Sequence, residues 1–232
     1  MDTTQIAGLL EPFLPQPEFP KAGIESISTY IDILIRWNAR INLTAIRDPK
    51  EIVTRHFGES LFAATRLFPV GESPEERINH QRLLDIGSGA GFPGIPIKIW
   101  APQIHVTLVE SNQKKATFLR EVIRALTLTN IDVFAARAET LPPRQAEVVT
   151  LRAVERFPQV LPVAATLVAP PGRLALLIGS HQAKDATNLL PEQNWQPPLN
   201  IPGSSNRILL IGFSIERNHS PSRAPEDKNH TG

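Results

Sequence analysis

Hydrophobic and polar residues follow two different periods along this chain. Between Ile24 and Ile46 the apolar side chains recur mostly at the spacing of one helical face, which predicts a long amphipathic helix. Asp48 and Pro49 predict the start of a second helix, because an aspartate side chain accepts bonds from free backbone N–H groups and proline suits the first helical position. The N-terminal part of the chain is therefore predicted to be helical.

From Arg82 onward, short β-branched runs alternate with helical patterns, which is typical of βαβ units around a parallel sheet. The predicted strands are Leu83–Ile86, His105–Val109, Ile131–Ala135, Val148–Leu151 and Arg173–Ile178, with a last pair near Asn194–Leu199 and Arg207–Phe213. The predicted helices are Gly94–Trp100, Gln113–Leu126, Pro158–Val168 and His181–Leu190. This pattern predicts an α/β, Rossmann-like fold with a seven-stranded, mostly parallel sheet, an antiparallel last strand and helices on both faces.

Composition and local polarity suggest how the chain is divided. A hydrophobic fraction of 41% and a charged fraction of 20% are ordinary for a globular protein. Residues 1–80 are predicted to form a helical extension packed on the core, and residues 81–215 a ligand-binding Rossmann-like domain. The polar stretch 71–80 is predicted to be an exposed loop. Residues 216–232 lack large apolar side chains, which predicts a disordered tail.

Charge and cysteine content exclude several classes of function. The chain has no cysteine, which excludes disulfides, thiolate metal sites and a cysteine nucleophile, and we expect no metal. Its N-terminus has no signal-peptide pattern and no apolar run is long enough to span a membrane, so we expect a cytoplasmic, membrane-independent protein. Because the formal net charge is +1, any nucleic-acid site must be a local patch.

A glycine-rich turn between the first predicted strand and the next helix is the strongest chemical signal. Glycines allow positive φ and close approach of a ligand, and the following helix offers free N–H groups. The glycines fall at Gly87, Gly89 and Gly91, whereas a dinucleotide fingerprint needs its third glycine where Phe92 stands. With Asp85 two residues before it, this loop fits S-adenosylmethionine better than a pyrophosphate.

Three further positions follow strand ends that a parallel sheet brings to one edge. Glu110 lies about 20 residues beyond the first glycine, the interval at which a carboxylate accepts bonds from ribose hydroxyls. Ala138 leaves room for an adenine ring, and Glu139 is a candidate to cap that pocket. Arg152 ends the fourth strand, where its guanidinium is a candidate to bind the cofactor carboxylate or an RNA phosphate. A simpler interpretation also exists for Glu110, Glu139 and Arg152, namely that each is an ordinary surface charge.

Several motifs in one order along the chain resemble the ribosomal RNA small subunit methyltransferase G family, also called glucose-inhibited division protein B. The resemblance covers residues 24 to 213. It is carried by Trp37-Asn38 with Asn42-Leu43-Thr44, Arg55-His56-Phe57 with Ser60-Leu61, the loop Asp85 to Gly94, Lys114-Lys115 with Phe118-Leu119, Ala136-Arg137-Ala138-Glu139 and Arg152-Ala153. The pair Gly58-Glu59 departs from the family pattern, which has a larger apolar residue and often an aspartate there.

The resemblance implies transfer of a methyl group from S-adenosylmethionine to N7 of a guanine in the 530 loop of 16S rRNA. The implied partner is this rRNA within the small ribosomal subunit or an assembly intermediate. We expect the protein to be a monomer. Arg152 is the candidate catalytic residue. The candidate cofactor-binding residues are Asp85, Gly87, Ser88, Gly89, Gly91, Phe92, Glu110, Ser111, Ala138, Glu139 and Arg152.

Basic residues near the loop are candidates for RNA binding. Lys114 and Lys115 fall on the helix after the second strand, and Arg137 lies on a neighbouring loop. Helical lysines are as often a solvated face, and His56, the fourth candidate, is as often structural. Two other functions stay open from the residues: a nicotinamide-dependent oxidoreductase, disfavoured by Phe92 and by the absence of a Tyr-x-x-x-Lys pair, and a non-catalytic ribosome-associated RNA-binding protein.

Overall fold

The computed structural model describes residues 1–14, 19–69 and 81–214. Its α-helices of seven or more residues are α1 (Thr3–Leu10), α2 (Lys21–Asn38), α3 (Glu59–Leu67), α4 (Gly94–Trp100), α5 (Gln113–Ala125), α6 (Phe157–Leu167) and α7 (Ala183–Leu189). Its strands are β1 (Arg82–Ile86), β2 (His105–Val109), β3 (Ile131–Phe134), β4 (Ala146–Arg152), β5 (Val168–Gly179), β6 (Asn194–Trp195), β7 (Leu199–Asn200) and β8 (Arg207–Phe213). The predicted α/β class is confirmed.

One mixed sheet organises the molecule, with strand order β3-β2-β1-β4-β5-β8-β6 and β7 also paired to β8. The first five strands are parallel and β8 runs antiparallel to β5. The prediction of seven strands is wrong, because the run Asn194–Leu199 contributes to two short strands, β6 and β7, that pair separately with β8. Pro197 and Pro198 separate them, since proline has no N–H group to donate to a ladder.

The first long helix is shorter than its hydrophobic pattern predicts. Helix α2 ends at Asn38 instead of continuing to Ile46. The Asn38 side chain accepts from the N–H groups of Leu43 and Thr44, and its amide donates to the Thr44 carbonyl. These three bonds hold residues 39–46 as a loop, because asparagine offers the backbone partners that a further helical turn would otherwise supply.

The second helical segment begins where the sequence predicts it. Asp48 accepts from the Glu51 N–H at 2.9 Å, and Pro49 occupies the first helical position. A π-helical stretch, Ile52–Gly58, then leads directly into α3. The Phe13 ring packs over Gly58, where a Cβ would lie 2.7 Å from it. A small residue at 58 is therefore matched to an aromatic one from the N-terminus.

Apolar side chains cover both faces of the sheet. One buried cluster combines α1, α2 and residues 49–67 with one face of the sheet, and a second packs α6 and α7 against the other face. The predicted loop 71–80 and the predicted tail 216–232 lie outside the described residues. In the described ranges, no helix is long and apolar enough to cross a membrane, and no cluster of three or more histidine and acidic residues is arranged to hold a metal ion.

Candidate functional site

A cleft of about 650 Å³ opens at the carboxyl edge of the sheet, beside β1 and β4, where the strand order reverses. Open α/β sheets bind their ligands at this switch point. Most of the predicted site residues line it. They are Gly87, Ser88, Gly89, Phe92, Glu110, Ser111, Ala138, Glu139, Arg152, Lys115, Arg137 and His56. Asp85, Gly91 and Lys114 do not line the cleft.

The backbone conformation of the loop requires glycine at three positions. Gly87, Gly89 and Gly91 all have positive φ, of 67°, 57° and 85°. At Gly91 a Cβ would overlap the Tyr30 hydroxyl, which donates a hydrogen bond to the Ala90 carbonyl. Helix α2 therefore supports the loop from behind, and the loop turns its Gly87–Gly89 backbone toward the cleft.

Asp85 holds the loop instead of lining the cleft. Its fully buried carboxylate accepts from the Thr150 hydroxyl at 2.8 Å and from the Gly94 N–H at 3.1 Å. Burial raises the pKa of Asp85 to about 6, against the lowering effect of these hydrogen bonds. The side chain therefore ties β1 to β4 and to the start of α4, and its place in the site is that of a positioning residue.

Glu110 closes the other side of the loop. One carboxylate oxygen accepts from the Gly89 N–H at 3.0 Å and the other from the Asn112 N–H at 2.7 Å. Because a carboxylate has about four lone-pair positions, this leaves acceptor capacity for a ligand in the cleft. Asn112 also caps α5 by accepting from Lys114 and Lys115.

An aromatic stack forms part of the cleft wall, which Phe92 and His56 line. Phe92 lies between the Tyr30 ring at 5.4 Å and the His56 ring at 4.7 Å, both nearly parallel to it. Phe92, which stands where a dinucleotide fingerprint needs its third glycine, is therefore a packing residue. This stack joins the N-terminal helices to the glycine loop.

Arg152 reaches the cleft, but most of its donors have partners within the protein. Its guanidinium donates to the Glu59 carboxylate at 3.1 Å and to the Arg55 carbonyl at 2.6 Å. Arg55 and Arg207 also bind Glu59, at 3.0 and 2.9 Å. Glu59 is 1% exposed, so this is a buried cluster of charges and not the surface ion pair of the simpler interpretation. Sequence reasoning missed Glu59 and Arg207 as parts of the site; the departure at Gly58-Glu59 marks Glu59 as unusual, but nothing in the sequence pairs it with Arg207.

His56 is buried beside this cluster and is not placed as a cation for RNA. Burial first, and then the charges of Arg152, Arg55 and Arg207, lower the pKa of His56 to about 3. A neutral imidazole offers no charge to a phosphate. Of the predicted RNA-binding lysines, Lys115 lines the cleft, whereas Lys114 lies on the exposed face of α5.

Comparisons with known proteins agree with the geometry. A family model described as "rRNA small subunit methyltransferase G" matches residues 23–196. A protein of Xylella fastidiosa (strain M23) named ribosomal RNA small subunit methyltransferase G is 42% identical over 175 residues, which are 75% of this chain and 77% of that protein.

Solved structures support the fold. A predicted O-methyltransferase from Agrobacterium tumefaciens matches with a TM-score of 0.53 at 20% identity, over 60% of this chain and 76% of that one. A SAM-dependent methyltransferase from Aquifex aeolicus matches with a TM-score of 0.51 at 14% identity, over 72% and 94%. The fold is the Rossmann-like fold of class I methyltransferases, and by its sequence the chain belongs to the ribosomal RNA small subunit methyltransferase G family.

Proposed function

We propose that this protein methylates N7 of a guanine in the 530 loop of 16S rRNA, with S-adenosylmethionine as its cofactor. The observation that carries the proposal is the glycine loop, closed by Glu110, at the switch point of a chain that belongs to this family. The family resemblance supplies the nucleotide and the atom. The chemistry of the cleft supports both.

The residues around the cleft fit the cofactor. Gly87 has positive φ and lines the cleft, and a Cβ there would meet Val154 at 3.0 Å, so a side chain would narrow the space. Glu110 would accept from the ribose hydroxyls, and Ala138 with Glu139 would hold the adenine. When bound, the cofactor supplies an electrophilic methyl group on a sulfonium.

The cleft suits an acceptor atom that needs no general base. Guanine N7 carries a lone pair and no proton, so methyl transfer to it depends on alignment and electrostatics. The His56 imidazole is the obvious candidate base, yet both ring nitrogens have partners, Thr44 Oγ1 at 2.7 Å and Arg152 at 3.1 Å. The ring is therefore held as a structural element of the wall.

Label transfer tests this function. Small subunits lacking the modification are incubated with tritiated S-adenosylmethionine and the protein, and we expect label in 16S rRNA that excess S-adenosylhomocysteine suppresses. A non-catalytic RNA-binding protein would bind the subunits and transfer no label. Absence of label with subunits that the protein demonstrably binds would therefore favour that second function.

The basic rim consists of Lys115 and Arg137, which line the cleft, and of the neighbouring Lys114 on the exposed face of α5. It is expected to contribute sequence-independent affinity for RNA. Each cation that neutralises a phosphate adds about 0.7–0.9 unit to the slope of log affinity against log salt, so the variant Lys114→Ala/Lys115→Ala/Arg137→Ala should reduce that slope by about two to three units. The measurement is binding to small subunits across a salt series. Lys21→Ala/Arg66→Ala/Lys184→Ala, at exposed positions that do not line the cleft, is the matched control. Equal slopes for the two variants would make the rim a solvated surface.

A further inference from the structure

A chain of hydrogen bonds leads from the buried Glu59 to the Thr44 hydroxyl on the cleft wall. Arg152 binds Glu59 through Nη2 and contacts His56 Nδ1 through Nη1 at 3.1 Å. The opposite ring nitrogen, His56 Nε2, lies 2.7 Å from Thr44 Oγ1. Thr44 itself lines the cleft.

The donors and acceptors that each side chain carries fix the direction of these hydrogen bonds. A guanidinium carries N–H donors and no acceptor, so His56 Nδ1 must accept from Arg152. A neutral imidazole that accepts at Nδ1 carries its proton at Nε2. His56 therefore donates to Thr44 Oγ1. The low pKa of His56 agrees with a ring that holds a single proton.

Thr44 Oγ1 accepts a second bond, from the Ile46 N–H at 3.1 Å. A hydroxyl has two acceptor lone pairs and one donor hydrogen. In the part of the chain that the structure describes, both partners of this oxygen are donors. The hydroxyl hydrogen is therefore left for an acceptor in the cleft. The backbone of Thr44 is fixed by Asn38, so the hydroxyl is held in place.

We propose that the Thr44 hydroxyl donates a hydrogen bond to O6 of the target guanine, the acceptor next to N7 on the same edge of the base. This inference rests on the proposed function. The position separates Thr44 from the cofactor's nucleoside: Thr44 is joined through His56 to Arg152 at the end of β4, whereas the candidate ribose and adenine contacts follow β2 and β3 on the other side of β1. Binding O6 would orient N7 toward the methyl group.

The position of the proton on the His56 ring can be tested without measuring methyl transfer. Long-range ¹H–¹⁵N correlation spectra of the labelled protein, with the His56 signal assigned by its loss in His56→Gln, report which ring nitrogen carries the proton. We expect a protonated Nε2 and an unprotonated Nδ1. The opposite tautomer would turn Thr44 into a donor toward His56 and overturn the inference.

The hydrogen bond itself is tested with a target base that lacks O6. Small subunits are reconstituted with 2-aminopurine, which keeps N7 and the exocyclic amine, in place of the target guanine. With guanine, Thr44→Val should reduce single-turnover transfer about tenfold and Thr44→Ser should restore it, since one hydrogen bond is removed and regained. With 2-aminopurine, the wild-type protein should already be about tenfold slower, and Thr44→Val should cause no further loss.

The outcomes separate the alternatives. Equal fold losses for Thr44→Val with both bases, or a loss of S-adenosylhomocysteine affinity measured by calorimetry, would place the hydroxyl elsewhere and overturn the inference. If Thr44→Val does not fold, wild-type protein that transfers equally to both bases overturns it as well. Failure of wild-type protein to label guanine-containing subunits would overturn the proposed function instead.

Discussion

Glu59→Ala is expected to lower the free energy of unfolding by about 3–5 kcal/mol, because removing one partner of a buried ion pair leaves uncompensated charge. Glu59 is the shared acceptor for Arg55, Arg152 and Arg207. Arg152 and Arg207 are only 9% and 18% exposed, so water cannot readily replace the carboxylate. The same change removes one of the three partners that hold Arg152 at the cleft and should impair methyl transfer. Denaturant unfolding, combined with label transfer, measures both effects.

Two control variants test whether the loss of stability comes from the buried charge of Glu59. Glu51→Ala removes an exposed glutamate from the same helical segment and should change stability by no more than about 0.5 kcal/mol. Glu59→Gln keeps the shape and one acceptor oxygen but loses the charge, so its stability should lie between wild type and Glu59→Ala. If Glu59→Ala unfolds at the same denaturant concentration as Glu51→Ala, the cluster contributes nothing to the fold.

Gly91→Ala is expected to lower stability by roughly 2–5 kcal/mol and to weaken cofactor binding. Alanine in a left-handed conformation costs roughly 1–2 kcal/mol, and overpacking adds roughly 1–3 kcal/mol. Gly91 has φ of +85°, and its added Cβ would overlap the Tyr30 hydroxyl. The loop that presents Gly87 and Gly89 would have to move. Thermal unfolding and calorimetry with S-adenosylhomocysteine measure the two losses.

The variant Tyr30→Phe tests whether overlap with the Tyr30 hydroxyl causes this loss of stability. Tyr30→Phe alone should cost about 1 kcal/mol, because it removes one hydrogen bond to the loop. Adding Gly91→Ala to Tyr30→Phe should then cost less than it does in the wild-type background, because the nearest overlap has been removed and the next, with Ile95 Cδ1 at 2.7 Å, involves the flexible end of a side chain. Simple additivity of the two changes would show that the hydroxyl is not what requires glycine at this position.

Local pattern predicts the parallel half of the sheet and the cofactor loop. The runs that form β1, β2 and β4 are short and apolar, β2 and β4 being rich in β-branched residues, and Gly87 follows β1 directly. Both features therefore lie within a few consecutive residues. Partners far apart in sequence leave no such signal. Arg207 binds Glu59 across 148 positions, and nothing in either neighbourhood announces the other.

Single polar residues also override the hydrophobic period. Asn38 ends α2 by bonding the backbone of residues 43 and 44, although the apolar pattern continues to Ile46. The same tertiary context changes the interpretation of Asp85 and Arg152. The sequence predicts a cofactor contact at Asp85 and, at Arg152, a guanidinium that binds a carboxylate or phosphate of a ligand. In the structure Asp85 ties β1 to β4, and Arg152 binds the Glu59 carboxylate within the protein. Local pattern predicts where these side chains lie but not which partners they have.

Methyl transfer to N7 of one guanine is tested most directly through the chemistry of the product. Methylation at N7 gives the base a positive charge, so borohydride reduction followed by aniline cuts the RNA chain at that nucleotide. Small subunits lacking the modification are treated with the protein and S-adenosylmethionine, and the 16S rRNA is then reduced, cleaved and mapped. We predict one new cut, at a guanine of the 530 loop, that requires both protein and cofactor. Methyl incorporation without a cut, or a cut in another part of the rRNA, would contradict the account.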